Sequence, residues 1–150
     1  MKFTLAAVAA LLSTAAIAAP LEERQEAAVN MMVTSTPQWT IAKFQRVCNT
    51  ANTSCKYSFN INTHTAPVTP CSYTVTGNNA ADASVNGKTC GVYTVSSNWS
   101  GQFGPGNGFT TLAVVNNQLK QIVYPAYKDV QLAGNKVVTP NQSYTPQNLG

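Results

Sequence analysis

The stretch Lys56-Tyr-Ser-Phe-Asn-Ile-Asn62 decides the fold. In an extended chain Tyr57, Phe59 and Ile61 fall on one side, and Lys56, Ser58, Asn60 and Asn62 on the other. Successive side chains of a strand point to opposite faces, so alternation of aromatic and β-branched residues with polar ones marks a half-buried β-strand.

The same period runs outward in both directions. Upstream, Trp39-Thr-Ile-Ala-Lys-Phe-Gln-Arg-Val47 carries Trp39, Ile41, Phe44 and Val47 with a change of phase between 41 and 44, which predicts a bulge or bend. Downstream, Thr65 to Pro70 holds two prolines and reads as a loop or edge. Strands follow at Ser72 to Thr76 and Gly91 to Ser97. Phe109 to Val115 and Gln121 to Tyr124 form a hairpin around Asn116 to Lys120. A second hairpin is expected from Asp129 to Ala133 and Lys136 to Val138, around the turn pair Gly134-Asn135. The polar tail after Pro140 is expected to lie over the surface. About seven to eight mostly antiparallel strands, with turns about every ten residues, make an all-β domain: a single small β-barrel or sandwich. No helical period, internal repeat or linker appears from residue 37 onward.

The N-terminal residues differ in kind. MKFTLAAVAALLSTAAIAA (1–19) has a basic Lys2, an apolar run from Leu5 to Leu12 and a small-residue exit at Ala16-Ile-Ala18, the parts of a secretory signal peptide over 1–18. The run is well short of the roughly 20 residues that span a bilayer. Residues 19–36 hold Glu22, Glu23 and Glu26 and no aromatic residue. They read as a pro-segment or flexible arm, with a short docked amphipathic helix as the other reading. The domain proper is 37–150, secreted and extracellular, with no membrane span.

Over 37–150 the chain has seven Lys and Arg against only Asp82 and Asp129, a net +5. The basic residues are spread singly rather than clustered, so solubility and weak surface adhesion explain them better than a nucleic-acid partner. Four cysteines behind a leader predict two disulfides with three pairings. Cys48 and Cys55 enclose a polar, turn-rich loop, and Cys71 and Cys90 flank a strand–turn–strand unit, which favours 48–55 and 71–90. Without a CxxC pair and with His64 alone, no zinc or other metal site is expected.

Catalysis finds little to work with. His64 is the one side chain suited to acting as a base near neutral pH, and no G-x-S-x-G motif accompanies it. Paired-carboxylate glycoside hydrolysis would require Asp82 and Asp129 together. The expectation is a non-enzyme with no cofactor. Gly101-Gln-Phe-Gly-Pro-Gly-Asn-Gly108 lacks the Lys-Ser/Thr of a phosphate loop and reads as a strand connection, and as a recognition surface if ordered. Its candidate residues are Trp99, Gln102 and Phe103. Tyr124 and Tyr127, flanking Pro125, are candidates to join Trp99 in an aromatic platform for sugars, with core or rim aromatics of the barrel as the other reading; the platform makes a carbohydrate- or cell-wall-binding module the alternative function. Asn52-Thr-Ser54, Asn98-Trp-Ser100 and Asn141-Gln-Ser143 are glycosylation sequons.

The chain resembles the small secreted fungal hypersensitive-response-inducing elicitors. The resemblance rests on Cys48 with Thr53-Ser-Cys55, Ser58-Phe-Asn-Ile61, Thr63-His-Thr65 and Pro70-Cys-Ser-Tyr-Thr-Val-Thr-Gly77. It continues through Trp99 to Leu112, Ile122-Val-Tyr-Pro-Ala-Tyr127, Gln131-Leu-Ala-Gly134 and Val137-Val-Thr-Pro140. More remotely it is similar to the β-barrel of the major Alternaria allergen, whose members dimerise. The resemblance implies an effector acting in the host apoplast, where plant cells perceive it and mount defence or a hypersensitive response. It brings no catalytic residues. Four cysteines leave none spare for an intermolecular bridge, so a homodimer, if formed, is expected to be non-covalent.

Overall fold

The computed structural model describes residues 36–150. The leader expected over 1–18 and the arm expected over 19–36 thus lie outside the described residues, except for Thr36.

The alternating stretch becomes the centre of a sheet. β2 (Ser54–Asn62) pairs antiparallel with β1 (Trp39–Cys48) on one side and β3 (Thr69–Thr76) on the other. The phase change in β1 is a bulge: Ala42 pairs with Asn60, and pairing resumes at Gln45 with Ser58. Lys43 takes up the extra residue at φ +55, in the left-handed region, and its N–H donates to Asn141 Oδ1 at 2.9 Å. The bulge turns Phe44 and then Arg46 toward the interior.

The second sheet comprises β4 (Val85–Cys90), β5 (Tyr93–Ser100), β6 (Phe109–Asn116), β7 (Gln121–Val123), β8 (Ala126–Lys128) and β10 (Gln147–Asn148). Its order is β10-β7-β6-β5-β4, with β8 also on β6, and the first sheet runs β3-β2-β1-β9, where β9 is Gln142–Tyr144. All these pairings are antiparallel. The architecture is an all-β sandwich rather than a closed barrel.

Three local expectations are corrected. Asp129–Leu132 is a short helix, α1, not a strand: the Gln131 side chain reaches back to accept the Lys128 N–H at 2.8 Å and starts a helical turn. Gly134 and Asn135 lie at positive φ in a 3-10 turn (Ala133–Asn135), so the second hairpin does not form, and Val137 bridges to Gln45 instead. The polar tail supplies edge strands β9 and β10 rather than a loose cover.

Two disulfides are present. Cys48–Cys55 closes the β1–β2 hairpin, where the two residues are direct register partners 4.0 Å apart at Cα. Cys71–Cys90 is not a hairpin staple, because β3 and β4 belong to different sheets; it joins the two layers at one edge.

The core is aromatic and crosses the layers. Phe44 stacks on Tyr127 of β8 with centroids 3.9 Å apart, and Trp39 meets Tyr93 of β5 edge-on at 5.8 Å. Ile41, Tyr57, Ile61, Val95, Leu112, Val114 and Val123 fill the space between. Offset and edge-on aromatic pairs contribute stability beyond the apolar area they bury.

Candidate functional site

The glycine-rich segment 101–108 connects β5 to β6 and packs on Trp99, the penultimate residue of β5. A Cβ at Gly101 would lie 2.4 Å from Trp99 Cη2, and one at Gly108 would lie 2.4 Å from Asp129 Oδ2 and 2.8 Å from Trp99 Cζ2. The glycines therefore let the backbone close over the indole, where a side chain would collide. Turn hydrogen bonds from Gly104 N to Gly101 O (3.0 Å) and from Asn107 N to Gly104 O (3.1 Å) order the loop internally.

Beneath the loop runs a chain of polar contacts. Trp99 Nε1 donates to Asp129 Oδ2 at 2.8 Å, and Arg46 Nη1 donates to Asp129 Oδ1 at 3.2 Å and to the Ala81 carbonyl at 3.1 Å. The Asp129 N–H donates to the Gly108 carbonyl at 2.9 Å. Arg46 is buried, so Asp129 supplies the counter-charge that such a position requires. Asp129 thus ties β1, β5 and α1 together through its carboxylate, and the loop through its N–H.

On the outer side of this loop Phe103, 65 % exposed, stacks over Phe109 with centroids 5.7 Å apart. A groove of about 720 Å³ opens between the loop and the β8–α1 segment, lined by Phe103, Phe109, Ala126, Lys128, Val130 and Gln131. Val130 is itself 61 % exposed. The arrangement is a largely apolar surface with one cation, Lys128, and two amides, Asn107 and Gln131, among its lining residues.

The structure separates the remaining candidates. Gln102 is exposed in the loop beside Phe103, and Tyr124 is exposed after β7. Tyr127 does not reach the surface: it is 1 % exposed against Phe44, because in β8 the alternation turns Ala126 and Lys128 outward and Tyr127 inward. The aromatic platform expected from Trp99, Tyr124 and Tyr127 therefore lacks Tyr127. Burial raises the Tyr127 phenol far above its ordinary range, and the same cause raises Tyr73.

Asp82 and Asp129 do come together, in a smaller pocket of about 430 Å³ with Trp99 and Pro105. Asp129 is occupied by Arg46 and Trp99, and Asp82 accepts from Asn79 Nδ2 at 2.7 Å. His64 stands exposed just past β2 at φ +63, its Nε2 2.8 Å from Thr40 Oγ1, which in turn lies 2.9 Å from Ser143 Oγ. Its side-chain partner is a hydroxyl, not a carboxylate. Among the described residues no group of three His, Cys, Asp or Glu converges as a metal site, and no helix is long and apolar enough to cross a membrane.

The sequons differ in availability. Asn52 sits at φ +53 with Oδ1 accepting the Ala81 N–H at 2.9 Å and Nδ2 donating to Asn79. Asn98 accepts from Ser84, and Asn141 from the Lys43 N–H; both are exposed.

Arg46, Phe109 and Val130 were not among the residues marked from sequence. Arg46 carried a signal: once the phase changes in β1, it falls on the same side as Phe44, and a cation on the core side of a strand calls for a buried partner.

Residues 40–149 match the family described as Effector TSP1. The chain is also 56 % identical over 119 residues to Effector TSP1 of Hypocrea virens (strain Gv29-8 / FGSC 10586), covering 79 % of this chain and 81 % of that relative. The chain belongs to the Effector TSP1 family, and it is a fungal effector of the elicitor type that the Trp99–Leu112 block and its companion motifs suggested.

Proposed function

We propose that this member of the Effector TSP1 family is secreted into the apoplast of a plant host and is perceived there without performing catalysis, inducing defence or a hypersensitive response. The observation that carries the reading is exposed Phe103, stacked on half-buried Phe109 of β6 and carried by a loop packed on Trp99 and Asp129. A preorganised aromatic at the edge of a groove is the usual anchor of a protein interface, since little conformational entropy is lost when it docks. The leader-like residues 1–18 and the disulfides support an extracellular site of action. Polar commitment of Asp82, Asp129 and His64 to neighbouring side chains supports the non-enzymatic reading.

The partner is a plant cell-surface or apoplastic component. An N-glycan fits at Asn98 and Asn141, whereas at Asn52 it would displace the contact to Asn79. Infiltration of the purified protein into leaves, native and heat-inactivated, tests the proposal. Defence-gene induction or cell death from the native form is expected, and no response to the native form would contradict it.

A further inference from the structure

On the opposite sheet a second groove, of about 590 Å³, crosses the outward faces of β1, β2 and β3. Its charged residues are Lys43 and Lys56, and its polar walls come from Gln45, Ser58, Asn60 and Ser72. No acid lines it; Asp82 and Asp129 both lie in the pocket beside Trp99. The Arg46 charge is cancelled by Asp129, so the excess positive charge of the domain resides on its lysines.

Lys43 is the residue that makes this groove more than a scatter of surface charge. It occupies the extra position of the β1 bulge at φ +55, where a non-glycine residue is strained. Three contacts hold the bulge: Asn141 Oδ1 on the Lys43 N–H at 2.9 Å, the Val138 N–H on the Phe44 carbonyl at 2.8 Å, and the Gln45–Val137 bridge. A bulge re-aims a side chain, and this one sets an ammonium on the same face as Lys56. Among the described residues, no side-chain hydrogen bond occupies Ser58, Asn60 or Ser72, so their donors and acceptors remain open to a ligand.

We infer that this face of the sandwich binds a linear carboxylated polysaccharide, a uronate chain. Two cations meet its carboxylates, and the row of hydroxyls and amides meets its ring hydroxyls. A nucleic acid fits less well, because the exposed side chains of the groove include no aromatic on which a base would stack. The groove is distinct from that at Phe103, and binding is measured with purified components, so a negative leaf assay leaves this inference standing and the reverse also holds.

The test is a calorimetric titration of the full secreted chain with an oligogalacturonate, at low and at physiological salt. Parallel arms use a neutral oligosaccharide of equal length, polyglutamate and a single-stranded oligonucleotide. Binding to the oligogalacturonate, weakened by salt and absent with the neutral sugar, is expected. Lys43→Gln with Lys56→Gln should weaken it about tenfold, while Lys88→Gln with Lys120→Gln, which removes the same charge elsewhere, should leave it within about twofold. Circular dichroism verifies the fold of each variant. Equal losses in the two double variants, tighter binding of the polyglutamate or oligonucleotide, or no binding of the uronate would overturn the inference.

Discussion

Trp99 and Asp129, 30 residues apart in sequence, are joined by a 2.8 Å hydrogen bond from the indole Nε1 to the carboxylate Oδ2, and the other oxygen of that carboxylate holds the buried Arg46. The glycine-rich loop therefore packs on an indole tied to the first sheet through Asp129, whose own N–H also donates to the Gly108 carbonyl.

Asp129→Ala leaves Arg46 without its counter-charge and Trp99 without its acceptor. Removing one partner of a buried ion pair costs about 3–5 kcal/mol, and the partial exposure of Asp129 places this variant near the lower figure. Asp129→Asn retains an acceptor and should lose less. Urea unfolding measures both, and Trp99 fluorescence should shift to the red as the indole loses its partner. A loss below about 1 kcal/mol for the alanine variant would show that the ion pair does not anchor the loop.

Gly108→Ala should be the more damaging of two glycine changes. Its Cβ would meet Asp129 Oδ2 at 2.4 Å and the Trp99 ring at 2.8 Å, and Asp129 is not free to move away from Arg46. Overpacking of this kind costs about 1–3 kcal/mol. Gly104→Ala meets nothing within 4 Å and carries only the strain of φ +91, about 1 kcal/mol. Thermal melts of the two variants should rank in that order.

The two disulfides should differ in weight. Loop-closure entropy for sequence separations of 19 and 7 gives about 3 kcal/mol for Cys71–Cys90 and about 2.5 kcal/mol for Cys48–Cys55. Only the former links the two sheets. Paired Cys→Ser variants compared by urea denaturation should show the larger loss for 71/90; the reverse order would locate the weak seam elsewhere.

Burial raises the Tyr73 and Tyr127 phenols above the ordinary value of 10.0. A raised folded-state pKa gives stability that is whole below the unfolded value and is lost as pH climbs toward the folded one. The melting temperature should thus fall above about pH 10, with phenolate absorbance rising together with unfolding. A melting temperature that stays level well above pH 10 would contradict the burial of these two rings.

Much of this was readable in the chain. Tyr57, Phe59 and Ile61 alternate without interruption, so β2 and its neighbours followed from period alone, and the slip from Ile41 to Phe44 marked the bulge. β4 escaped because Val85-Asn-Gly-Lys-Thr-Cys90 is an edge strand with only Cys90 buried and Val85 half-buried at its two ends, so no apolar rhythm reports it. β9 and β10 were hidden because they are edge strands of three and two residues, too short to display an alternation. The helix at Asp129 spans four residues, too few to display a period of 3.6. At the candidate site Phe103 and the glycines stood out locally, whereas the roles of Arg46 and Asp129 depend on a contact between residues 83 apart, which no local pattern encodes. Whether Tyr127 faces a platform or the core could not be read from the chain, because a three-residue strand offers only one alternation from which to read its direction.

The most direct test of recognition through the loop groove is a dose–response in leaves comparing the native protein with Phe103→Ala. Phe103 is 65 % exposed, so the variant should keep its circular dichroism spectrum and melting temperature. Loss of an aromatic anchor typically costs 2 kcal/mol or more of binding, so the dose for half-maximal defence response should rise about tenfold or beyond. An unchanged dose–response for a correctly folded Phe103→Ala would contradict the proposal that plant cells perceive this effector through that groove.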